Sequence, residues 1–179
     1  NYTSESFFSN NFLSSFFNTI FLGILAGIIC TSFAFLFNFL KRFERGAFLK
    51  TISFVLSLGY AIPGLVLAVG IIQFFSMLDN NFLRSFLDFV LTGSILGLLL
   101  AYVIKAYALA NNSIEAGFQR IDSAVDDISL SLGTNKTKLF FKIHFPLMKT
   151  SILTSLILVI SEIIKELPAT LILRPFNFD

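Results

Sequence analysis

Residues 12–40 read FLSSFFNTIFLGILAGIICTSFAFLFNFL, and this stretch decides the fold. It lies inside a run of 35 positions, 6–40, that contains no Asp, Glu, Lys or Arg. A second uncharged run covers 28 positions, 51–78. A helix needs about 20 apolar residues to cross a hydrocarbon core about 30 Å thick, so each run is long enough to span a membrane. The composition agrees. Of 179 residues, 55% are hydrophobic and 13% charged, about half the charge of an ordinary soluble domain. Phe fills 24 positions and Trp none. The chain is read as an all-α integral membrane protein, because only helices or closed barrels satisfy the backbone inside lipid.

Working outward gives a helical bundle of about four transmembrane spans, at 12–40, 51–78, 86–108 and 150–173. The third holds Asp88 and Lys105, each expected near an end where a charge reaches the interface. The fourth is interrupted by Glu162, Lys165 and Glu166 and suits a helix packed against protein rather than lipid. Nine basic residues (Lys41, Arg42, Arg45, Lys50, Arg120, Lys136, Lys138, Lys142 and Lys149) fall in two loops on one side, against Arg84 and Arg174 on the other. The positive-inside rule puts the basic loops in the cytoplasm and the N-terminus in the periplasm.

Smaller signals exclude some classes. Cys30 is the one cysteine, so no intrachain disulfide or thiolate cluster is available. No basic residue precedes the first apolar run, which is also too long for a signal peptide. Gly23 and Gly27 form a G-x-x-x-G in the first span, a pattern that marks close helix contact but is common by chance. Ala61-Ile62-Pro63-Gly64 predicts a kink in the second. A kink beside a transport path and a merely packed kink look alike in sequence.

The loop at 111–149 is long for a compact protein, and such loops usually carry structure or function. Ile114, Phe118, Ile121, Val125, Ile128 and Leu132 recur every three or four residues, which predicts an amphipathic helix. Gly133 suits its C-terminal stop, and Thr134-Asn135 suits the cap of a second helix with Leu139, Phe140 and Ile143. The loop therefore reads as helix, tight turn, helix. A hairpin lying on anionic lipid through its lysines is the plain alternative.

These residues resemble the permease subunits of binding-protein-dependent ABC importers. That family carries a loop of Glu-Ala-Ala, three residues, Gly, nine residues, Ile, one residue, Leu-Pro. Here Asp127-Ile128-Ser129, Gly133, Ile143 and Phe145-Pro146 keep the spacing, with Asp for Glu, Ile-Ser for Ala-Ala and Phe for Leu. Lys165-Glu166-Leu167-Pro168-Ala169-Thr170 and Leu173-Arg174-Pro175-Phe176 look like the subfamily that imports ferric iron. The resemblance implies a type I (MetI-like) transmembrane domain over 1–179 with a cytoplasmic coupling loop. It further implies a cytoplasmic ATPase subunit, a second permease half and a periplasmic substrate-binding protein as partners, in the inner membrane of a bacterium. The family core has one more span, so the chain is expected to be most of one permease half.

The implied coupling set is Asp127, Ile128, Ser129, Leu132, Gly133, Lys136, Phe140, Ile143 and Pro146. Ile128, Leu132 and Phe140 are expected to enter a groove on the ATPase, with Asp127 and Lys136 at its rim. No P-loop, H-E-x-x-H or nucleophile elbow occurs, so no catalytic residue, cofactor, metal site or nucleic-acid partner is expected. His144 alone builds no zinc site. Glu162, Lys165 and Glu166 have two readings: an ion pair of Lys165 with Glu162 that lets a polar helix end pack, or carboxylates facing a path for Fe(III), a hard cation that prefers oxygen ligands. A passive channel or a scaffold would need no structured loop of this spacing.

Overall fold

The computed structural model describes residues 10–43, 47–80 and 91–174. Residues 86–90 of the expected third span, Arg84, Arg45 and the tail from Pro175 lie outside them. The described residues are helical, with no strand among them. The helices are α1 (Asn10–Phe43), α2 (Ala47–Ser57, followed by a 3₁₀ turn Leu58–Ala61), α3 (Gly64–Leu78), α4 (Ile95–Gln119), α5 (Ala124–Ser131) and α6 (Lys136–Leu139). A π turn (Phe140–His144) leads to α7 (Phe145–Leu147), α8 (Lys149–Lys165) and α9 (Leu167–Leu173).

Two helices are long and apolar enough to cross a membrane, at Phe16–Phe43 and Ile95–Gln119. Two further pairs qualify only as bent units. Ala47–Ala61 and Gly64–Leu78 meet at 114°, and Lys136–Leu147 and Lys149–Lys165 at 72°. The kink expected at Pro63 is therefore a full break, because Ile62 and Pro63 are extended and α3 starts afresh at Gly64.

The helix expected to end near Ala108 continues to Gln119, so residues 111–119, expected in the loop, are its last turns. Packing gives the reason. Ala110, Ile114 and Phe118 are buried in the core, so the loop's predicted apolar face belongs in its first half to a core helix.

The core is the meeting of α1, α4 and α8. Small residues let the axes approach: Ala26, Cys30 and Ala34 on α1 and Ala101, Ala106 and Ala110 on α4 are all buried. Association inside lipid rests on such close packing and on interhelical hydrogen bonds. Thr31 and Ser155 supply one, their hydroxyls 2.8 Å apart. The Gly23–Gly27 pair faces Leu156 and Ile160 of α8, so its close contact lies within the chain. Gly59 lies against α4 so tightly that an added Cβ would overlap the Ile104 carbonyl oxygen. Beyond α3, the Asp79 carboxylate accepts hydrogen bonds from the backbone N–H groups of Leu91 and Thr92 at 2.9 Å and fixes the entry to α4.

Candidate functional site: the loop hairpin and a buried ion pair

The loop forms the expected hairpin through local chemistry. The Asp122 side chain accepts from the Ala124 N–H at 2.9 Å, just before α5. Asp126 and Asp127 occupy the first turn of α5, where the positive end of the helix dipole favours carboxylates. At its end Gly133 adopts φ +81°, the left-handed region. Its N–H bonds the Leu130 carbonyl at 3.0 Å, and the Thr134 N–H bonds that of Ser129 at 3.1 Å, a Schellman closure. Asn135 then caps α6 by accepting from the Lys138 N–H at 3.0 Å.

The expected docking residues divide into two groups. Ile128 and Leu132, 60% and 81% exposed, face outward with Asp127 and Lys136. Lys136 also lies 5.2 Å over the Phe43 ring, a cation–π contact that ties α6 to α1. Phe140 does not present itself for docking. Its ring is half-buried against Phe35 and Phe39 of α1, at 4.8 and 4.9 Å between centroids, so it anchors the hairpin. Ile143 joins that packing, Ser129 is buried with its hydroxyl donating to the Val125 carbonyl, and Pro146 is exposed at the turn into α8.

Sequence reasoning missed the polar centre of the loop. Asp126, 4% exposed, splits its carboxylate between two partners. Oδ2 pairs with the Arg42 guanidinium of α1, and Oδ1 accepts from His144 Nε2 at 2.7 Å. Arg42 also donates to the carbonyls of Phe118, Ile121 and Asp122, at 3.0, 2.8 and 2.8 Å, and so closes the end of α4. His144 is wholly buried between the Phe39 and Phe118 rings. Burial pushes its pKa below the ordinary value, against the opposing pull of Asp126. The neutral Nε2–H tautomer fits this geometry, because Nδ1 has no partner. Asp126 and Asp127 look equivalent in the sequence, and only packing separates them.

The second polar site lies among the spanning helices. Glu166, 8% exposed, sits at the break between α8 and α9, and its Oε2 is 2.7 Å from Lys105 Nζ of α4. This corrects two expectations. Lys105 is near the middle of α4 rather than at a span end, and Glu166 pairs across helices with it. No Glu162–Lys165 pair forms: Lys165 is exposed, while Glu162 is half-buried and lines a small cavity with Lys105 and Glu166. Glu166 Oε1 is buried without a hydrogen-bond partner. It lies against Gly64, where an added Cβ would overlap it. Nearby, the hydroxyls of Tyr102 and Thr170 are 2.7 Å apart. Both chain breaks, at Pro63-Gly64 and Glu166-Leu167, thus converge on the Lys105 ammonium. Broken helices and paired charges at membrane depth are found where they are enclosed by protein and often where solutes pass.

A helical chain with two helices long and apolar enough to cross a membrane, two bent pairs, a buried ion pair and a structured hairpin at the end of the bundle has the make-up of a polytopic membrane component. Residues 20–174 match the family of binding-protein-dependent transport system inner membrane components, and the chain belongs to that family. It is accordingly the non-catalytic inner-membrane component of a transport system.

Among curated proteins it is similar to the molybdate/tungstate transport system permease protein WtpB of Methanocaldococcus jannaschii, 29% identical over 154 residues, or 83% of this chain and 60% of that one. It is also similar to the Fe(3+)-transport system permease protein FbpB 2 of Haemophilus influenzae, 26% identical over 114 residues, 64% of this chain and 21% of the other. The ferric transport system permease protein FbpB of Actinobacillus pleuropneumoniae is 28% identical over 108 residues, 60% of this chain and 14% of that relative. The chain spans 60% or less of the length of each of these relatives.

Proposed function

We propose that this chain is the membrane permease of an ATP-driven importer, with its hairpin docking a separate cytoplasmic ATPase. A second permease half completes the pathway, and a periplasmic binding protein delivers the substrate. The basic loops face the cytoplasm and lie near lipid headgroups. One observation carries the reading: α5 and α6 form a closed, capped hairpin anchored through Phe140, with Asp127, Ile128 and Leu132 turned outward. An apolar tip with a charged rim suits a groove on a partner better than solvent.

The substrate we favour is ferric iron. Glu162 and Glu166 offer oxygen ligands to a hard cation, and two relatives are named for ferric transport. Molybdate or tungstate is the second reading, favoured because Lys105 neutralises Glu166 and because the relative named for them aligns with 83% of this chain. The test is uptake of labelled iron and labelled molybdate by cells carrying Lys105→Gln/Glu166→Gln. Removing both charges avoids stranding one of them in the interior, which is strongly destabilising. Iron uptake should fall while the permease still assembles with its ATPase. Loss of molybdate uptake instead makes the substrate an oxyanion, and unchanged uptake of both removes the pair from the path.

A further inference from the structure

We infer that Asp126, clasped by Arg42 and His144, is the positioning residue through which motion of the docked hairpin enters the bundle. The inference rests on the importer reading and adds the route that the motion takes. α5 has two faces with separate duties. Asp127, Ile128 and Leu132 point outward, where a partner would seat. Asp126 points inward and holds two side chains, Arg42 and His144, and through Arg42 it is tied to the end of α4. Oδ2 holds Arg42, in the last turn of α1. Arg42 gathers the carbonyls of Phe118, Ile121 and Asp122 at the end of α4. Oδ1 holds His144, just before the turn into α8. The ends of the three core helices therefore converge on one carboxylate.

The chemistry suits transmission. The other inward contacts of the hairpin are Leu139 in the core, Phe140 on Phe35 and Phe39, and Lys136 over Phe43, and apolar packing of this kind is less directional than a charged hydrogen bond. A buried carboxylate that accepts from the Arg42 Nε–H on one oxygen and an imidazole N–H on the other, while the rest of the guanidinium is fixed on backbone carbonyls, is directional, and it adds registry more than stability. When the partner pulls on α5, the Asp126 clasp is the directional contact that ties its motion to the helix ends. The bland alternative is that the clasp merely holds the loop folded, in which case its loss lowers attachment, hydrolysis and uptake together.

The experiment uses the full permease assembled with its ATPase in proteoliposomes and reads three quantities: ATPase co-purification, ATP hydrolysis and solute taken up per ATP. Asp126→Asn keeps the shape and removes the charge. It should leave attachment and hydrolysis near wild type while uptake per ATP falls about tenfold, the size of a typical coupling effect. Asp126→Glu should recover most of that loss. Arg42→Lys, which keeps the charge but loses the fork, should show an intermediate loss at normal abundance. Asp127→Asn, next door and exposed, should weaken attachment and leave uptake per ATP unchanged. Normal uptake per ATP in Asp126→Asn and Arg42→Lys overturns the inference, as does a parallel fall of all three readouts. If the wild-type chain captures no ATPase, the importer reading has failed before the clasp is tested.

Discussion

Replacing Gly133 by valine isolates the backbone conformation of the hairpin turn. The residue sits at φ +81°, and a Cβ built there meets nothing within 4 Å. No steric overlap with a neighbour contributes, so the whole cost is torsional: about 1–2 kcal/mol for an L-residue held left-handed. Asparagine, which tolerates that region, costs less. The strain falls on a hairpin whose first helix has 8 residues and whose turn is closed by two backbone hydrogen bonds. One to two kcal/mol changes the ratio of ordered to disordered hairpin by about 5–30-fold. Where the ordered hairpin is the binding-competent form, the apparent ATPase affinity falls by up to the same factor. The core of α1, α4 and α8 lies elsewhere, so insertion and abundance should stay normal. The assay is titration of the ATPase against purified permease in lipid nanodiscs, with Gly133→Asn and Gly133→Ala in parallel. Affinity should fall in the order Asn, Ala, Val. Equal affinity for all three variants and wild type would refute the reasoning that links this turn to docking.

Three further outcomes follow from the structure. In a Cys30→Ala background, a membrane-impermeant thiol reagent added outside intact cells should label a cysteine at exposed Asn80 and not one at exposed Leu132; the reverse pattern inverts the orientation. Gly59→Ala should lower thermal stability in detergent by about 1–3 kcal/mol, because its Cβ would overlap the Ile104 backbone. Gly70→Ala in α3 meets nothing within 4 Å and should stabilise by about 0.5–1 kcal/mol, so equal effects at the two sites would show that the contact of the 3₁₀ turn with α4 yields freely. His144 is held below its ordinary pKa of 6.5, so the unfolded chain binds the extra proton more readily. Thermal stability should therefore be steady above about pH 6.5 and fall as the solution is acidified below it, with a shallower fall in His144→Gln; identical profiles would mean that another group titrates.

Much of the site was legible where the signal was local. Gly133 and Asn135 act through their own backbone and nearest neighbours, so the turn and the cap could be read from residue type alone. Phe140 could not. It is an apolar residue of the second predicted helix as Ile128 and Leu132 are of the first, but whether an apolar side chain meets a partner or its own core depends on what α1 places beside it. The same limit hid the partner of Glu166. Sequence spacing offered a pair of Lys165 with Glu162, three residues apart, while Lys105 reaches Glu166 from a helix 61 residues earlier in the chain.

The sequence by itself determined the all-helical membrane class and the helix–turn–helix, because charge-free length, left-handed glycine and side-chain caps act within one segment. Tertiary structure alone decided that α4 runs on to Gln119, that Pro63 breaks its span rather than bending it, and that Asp126 is clasped while Asp127 stands exposed. The first and last of these depend on α1, α4 and the segment leading into α8 meeting, and the break at Pro63 is fitted to α4 and α9. Burial turns two adjacent aspartates into different chemical groups, and burial belongs to the assembled bundle rather than to any residue in it.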